Sequence, residues 1–148
     1  MSATALLVVD SLHGLVDLEP VAAAALAAAP RANSPQEALE RLRAWQADFE
    51  AAQAPATIKA VRADWGQCLA WCEGTGHVPL PAPMEQLAAF LTNAIDRARK
   101  RTTVARYLYT VPLIHDAAGP PNPAKDRRWP LTWKALAKRI CRGRAPHL

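Results

Sequence analysis

Apolar residues recur along this chain at intervals of three and four, the spacing that gathers them on one side of a helix. The first clear register opens at Ser34-Pro35-Gln36-Glu37. Ser34 can accept from the first-turn amides, Pro35 suits the first helical position, and Glu37 can reach back as in a capping box. Leu39, Leu42, Trp45 and Phe49 then share a stripe, with Glu40, Arg41, Arg43 and Asp48 mainly off it, and Pro55 marks the end. A second register, from about Thr57 to Glu73, turns Ile58, Val61, Trp65, Cys68, Leu69 and Cys72 toward a core. Its other side presents Lys59, Ala63, Gly66, Gln67 and Ala70. Such small residues let a backbone come close to a DNA groove or, equally, to another helix. Gly74-Thr75-Gly76 stops this helix.

Pro79, Pro81 and Pro83 predict a stiff extended connection, because each fixes its own φ and restrains the residue before it. A third helix follows with Met84, Leu87, Ala88, Leu91 and Ile95 on one face. The run Arg97-Ala98-Arg99-Lys100-Arg101 closes it and leads to Thr102-Thr103, where a hydroxyl can cap a fourth helix carrying Val104, Leu108, Val111 and Ile114 inward. Pro112 removes one amide of that helix and predicts a kink near Leu108. Its outward side offers Thr102, Arg106 and Tyr109, each able to bond a phosphate or a base edge. Gly119-Pro120-Pro121-Asn122-Pro123 breaks the chain again. A last helix, from about Leu131 to Arg142, buries Trp133, Leu136 and Ile140 and keeps Lys134, Lys138, Arg139 and Arg142 on its other sides. No strand-like alternation and no internal repeat occur. The expected fold is all-α, a compact bundle of four to five helices over residues 34–145. A weakly ordered or loosely helical arm is expected at 1–33 and a short tail at 146–148.

Composition narrows the class. With 51% hydrophobic and 21% charged residues among 148, the chain has the makings of one packed core. No Lys or Arg precedes Arg31, so a secretory leader is not expected, and Asp10, Asp17 and Glu19 interrupt the apolar start before it could span a bilayer. Cys68, Cys72 and Cys141 cannot all pair, and a chain of this size has little need of disulfides, which points to a reducing cytoplasm. Cys68 and Cys72 could share a helix face, but no second Cys or His pair stands at the spacing of a zinc site, so buried thiols and no metal are expected. The absence of a nucleophile–base pair and of a phosphate loop argues against an enzyme, a cofactor or a small-molecule substrate.

Charge is divided more sharply than the net +5 conveys. Residues 1–96 hold five basic against eleven acidic side chains, and residues 97–148 hold thirteen basic against two acidic. A basic half of this density attracts a polyanion through counterion release. Nucleic acid is the first candidate; an anionic membrane surface or an acidic protein would also answer to charge alone.

A family resemblance bears on that choice. Thr57-Ile58-Lys59 through Asp64-Trp65, Trp71-Cys72 and Pro79-Leu80-Pro81-Ala82 resemble the opening of the core-binding domain of tyrosine site-specific recombinases, the phage integrase group. Arg101-Thr102-Thr103-Val104 with Leu108, Val111, Ile114-His115, Gly119 and Pro123 is similar to that domain's second DNA-facing helix, and Leu136 with Arg139-Ile140 to its closing basic helix. The similarity runs over about residues 35–145 and is of the Cre type. It implies a SAM-like helical domain forming one half of a clamp on double-stranded DNA. Thr57, Lys59 and Ala63 would face DNA from the second helix, and Thr102, Thr103, Arg106 and Thr110 from the fourth. The last helix would pack on a neighbouring protomer in an oligomer on DNA. With the basic and polar neighbours Arg62, Arg99, Lys100, Arg101, Tyr109, Lys134, Lys138, Arg139 and Arg142, these make the expected DNA-contacting set. Arg106→Ala and Lys59→Ala are expected to weaken binding without unfolding. Strand cleavage in that family needs a tyrosine nucleophile, arginines and acid/base groups from a downstream domain. Tyr107 and Tyr109 lie inside a helix and His115-Asp116-Ala117-Ala118 departs from the family's His-x-x-Arg, so His115 is expected in the core and no catalysis is assigned. The expected role is a DNA-binding module without a cutting half; the alternative is a non-enzymatic accessory protein that docks on a full-length recombinase.

Overall fold

A computed structural model describes Val16, Leu18 and residues 34–142, and within these residues the only regular structure is helical. The elements are α1 (Pro35–Ala52), α2 (Pro55–Thr75), α3 (Met84–Asp96), α4 (Arg101–Ala118), a 3-10 turn (Pro123–Lys125) and α5 (Trp129–Arg142). The tail at 146–148 and, apart from Val16 and Leu18, the arm at 1–33 lie outside the described residues.

Local signals explain most of the ends. Ser34 Oγ accepts from the Glu37 N–H at 3.1 Å, and the Glu37 carboxylate pairs with Arg41 one turn on. Pro55 is the first residue of α2 rather than the end of α1, since a missing N–H costs nothing where a helix has no acceptor for it. Gly76, at φ 73, closes α2 in the left-handed region, and the His77 N–H returns to the Cys72 carbonyl at 2.9 Å. α3 ends in the same type of turn without a glycine. Ala98 takes φ 57, its N–H reaches the Ile95 carbonyl, and the Arg99 N–H reaches that of Ala94. This turn leaves Lys100 extended as the residue before α4, which begins at Arg101 with no side-chain cap. Thr102 and Thr103 are therefore inside the first turn, not capping it.

α4 is the element the others gather around. It packs on α1, α2 and α3, and α5 leans on α3. Three neighbours bury more than a stripe of α4: Val104, Tyr107, Thr110, Val111, Ile114, His115 and Ala118, with Pro112 inside an unbroken helix. Leu42, Trp65, Leu80, Leu87 and Leu91 complete the centre, and Val16 packs into it. Trp129, Leu136 and Ile140 are the buried residues of α5; Trp133, expected inside, is half-buried. Cys68 and Cys72 are buried free thiols, and Cys141 is exposed.

The proline connection is fastened to the core by the histidine. Ala82 donates its N–H to His115 Nε2 at 2.8 Å, which makes Nε2 the acceptor and places the proton on Nδ1, 2.8 Å from the Val111 carbonyl. Burial pushes His115 down to a pKa of about 4, so the ring is neutral at pH 7.

Candidate nucleic-acid interface

On α2, Lys59, Ala63, Gly66, Gln67 and Ala70 all reach the surface, as their spacing foretold, with Thr57 and Arg62 half-buried. Arg62 Nε is buried and has no hydrogen-bond partner. On α4, Thr102, Arg106 and Tyr109 are exposed and Thr103 is half-buried. Steps of three and four put Thr102, Arg106 and Tyr109 on one stripe. Thr110 does not join them: it is fully buried, on the side of α4 that carries Tyr107 and Ile114. The resemblance-based placement of Thr110 against DNA is corrected by the packing of neighbouring helices over that edge.

The α2–α4 seam carries a clamp that the sequence reading missed. Arg106 donates from Nε to one oxygen of Asp64 at 3.1 Å and from Nη2 to the other at 2.6 Å. The Asp64 side chain is only 4% exposed, and that of Arg106 is 51% exposed. The fork matches the carboxylate in shape, and it neutralises a charge that burial would otherwise make costly. Arg106 is thus held at the surface by a buried partner and is a structural residue as well as a surface cation. A signal existed in the sequence, because Asp64 lies three after Val61 and four before Cys68, on the apolar side of α2.

The basic junction between α3 and α4 stands beside the small-residue face. Gln67, Ala70 and Gly74 of α2 line one cavity together with Arg97 and Arg99. Lys100 and Arg101 continue the exposed run, and Lys134, Lys138 and Arg142 are exposed on α5. Arg139 is half-buried and donates to Asp96 at 2.6 Å, which ties α5 to the end of α3. Other cations are paired too: Arg128 with Glu85 at 2.6 Å and Asp126 at 2.9 Å, and Lys125 with Asp116 at 3.7 Å. Lys59, Arg97, Arg99, Lys100, Arg101, Lys134, Lys138 and Arg142 have no acidic partner among the described residues.

Among the described residues no group of three His, Cys, Asp or Glu side chains could hold a metal, and no helix is long and apolar enough to cross a membrane. The chain matches no model of a known protein family and none of the curated proteins.

Proposed function

We propose that this chain is a duplex-DNA-binding module of the kind found in tyrosine recombinases and integrases, acting through α2, the α3–α4 junction and the outer stripe of α4. The observation that carries this reading is the adjacency of a small-residue helix face to a run of cations that have no acidic partner among the described residues, with Arg97 and Arg99 lining one cavity with Gln67, Ala70 and Gly74. Small side chains admit a phosphate backbone closely, and the cations supply the sequence-independent attraction. The interface set is Thr57, Lys59, Arg62, Ala63, Arg99, Lys100, Arg101, Thr102, Thr103, Arg106 and Tyr109. Lys134, Lys138 and Arg142 add to it from α5, with Arg139 engaged by Asp96. Electrophoretic mobility shift with duplex DNA over a series of salt concentrations tests this. The affinity is expected to be weak and to fall steeply with salt; no duplex binding at low salt sinks the proposal.

A second reading has one observation behind it. Leu131 of α5 is 77% exposed and Trp133, stacked on Trp129, is half-buried. That favours a protein contact through α5, as in docking on a neighbouring protomer or on a full-length recombinase, and light scattering with and without DNA would register it.

A further inference from the structure

The cavity where α2, α3 and the start of α4 meet has a chemistry that duplex binding leaves unused. It holds about 280 Å³, at the lower edge of the range for small-ligand sites. Its floor is aromatic: the Trp71 and Phe90 rings are 5.5 Å apart, Phe90 and Tyr107 are 5.0 Å apart, and Trp71 is also stacked on His77 at 4.7 Å, which leaves its remaining edge and face to a ligand. One wall is bare backbone at Gly74, where an added Cβ would meet nothing within 4 Å. Arg97 and Arg99 stand at the lining, unpaired among the described residues, and Gln67 and Asn93 add amide donors and acceptors. No acidic side chain of the described residues lines it.

A ligand that uses all of this is flat, apolar on its faces, polar at its edges and anionic at one end. Arg97 and Arg99 repel a cation and no carboxylate of the described residues offsets them, an inorganic anion leaves the aromatic floor unused, and an extended peptide or a lipid tail exceeds the volume. We propose that this cavity binds one nucleotide, its base over the Trp71 and Phe90 edge, its base edge near Gln67 and Asn93, and its phosphate on Arg97 and Arg99. Stacking tolerates any base, and the guanidinium fork suits a phosphate. The nucleotide has two sources with the same chemistry, a free mononucleotide or an unpaired residue of a single strand. This site shares Gln67, Ala70, Gly74, Arg97 and Arg99 with the proposed duplex face, and its aromatic floor is what a duplex leaves unused.

The test is amide chemical-shift mapping on the full chain with thymidine 5′-monophosphate, thymidine, inorganic phosphate and a short single-stranded thymidine oligonucleotide. Millimolar monophosphate is expected to shift the amides of Gly74, Thr75 and Arg99, with thymidine and phosphate each binding about tenfold more weakly. Shifts from the oligonucleotide without the monophosphate would also support the site and identify the strand as the source. Gly74→Leu places bulk at the cavity wall without touching a charge and is expected to weaken nucleotide binding about tenfold. Ala70→Leu serves as a second filling variant, should the first fail to fold. Nucleotide binding is measured without duplex DNA present, so its failure and that of the duplex proposal are told apart. The proposal is overturned by an absence of shifts at these amides with both nucleotide ligands, by phosphate binding as tightly as the monophosphate, or by unchanged nucleotide affinity in the filled variants.

Discussion

Two buried polar side chains of α4 show how residue-scale chemistry follows from neighbours rather than from residue type. His115 is neutral because burial drives its pKa to about 4 from an ordinary 6.5. The unfolded chain therefore binds a proton that the folded one refuses. The stability this group contributes is complete above about pH 6.5 and is lost as pH falls toward 4, a change on the order of 3 kcal/mol. Urea midpoints measured between neutral pH and pH 4 should fall accordingly, and His115→Gln should flatten that slope while lowering stability at pH 7 through loss of the Ala82 bond. Thr110 has the opposite imperfection. Its Oγ1 is buried without a partner, so Thr110→Val should raise stability by about 1 kcal/mol and leave duplex affinity unchanged. A loss of DNA binding in that variant would return Thr110 to the interface. The core placement of His115 was legible because its sequence context offers no catalytic partner. The burial of Thr110 was not, since a threonine at that spacing suits an outer stripe equally well.

At the scale of elements, junctions and seams carry the information that a helical wheel omits. The α3–α4 turn places Ala98 in the left-handed region, which disfavours any side chain. Ala98→Gly should stabilise the protein by roughly 1 kcal/mol, readable as a higher urea midpoint; a fall in midpoint would mean that the turn is not under strain. The α2–α4 seam behaves differently. Arg106→Ala strips a 4% exposed carboxylate of its fork and should cost about 2 kcal/mol, a bare buried charge discounted for the half-exposed guanidinium. The sequence-based expectation that Arg106→Ala leaves the fold intact is revised on this ground. Asp64→Asn retains hydrogen-bond capacity and should cost less than Arg106→Ala; equal losses would point to packing rather than to the stranded charge. α1 through α5 were each legible in apolar spacing and stop signals, with boundaries shifted by one or two residues where Pro55 opens a helix or a turn consumes Ala98.

Across the whole molecule, the division of charge along the chain is partly undone by folding. Asp64, Glu85 and Asp96 come from the acidic half and engage Arg106, Arg128 and Arg139 of the basic half. Cations already satisfied by a carboxylate release few counterions on meeting a phosphate, so salt dependence should sort them. Lys100→Ala and Arg101→Ala are each expected to lower the salt slope of duplex binding by about 1, and Arg128→Ala to leave it nearly unchanged. Equal effects from all three would mean that the pairs open on DNA. Sequence alone determined the all-helical class, the five segments, the exposed small-residue face of α2 and the concentration of positive charge after residue 96. These are local or compositional properties, carried by a 3.6-residue period and by residues that start or stop a helix. Tertiary structure alone decided how wide an arc of α4 is buried, which arginines are neutralised, and that Trp71, Phe90 and Tyr107 meet beneath Arg97 and Arg99. Those depend on which helices become neighbours, and a period along one helix specifies the side that faces inward but not the partner that covers it.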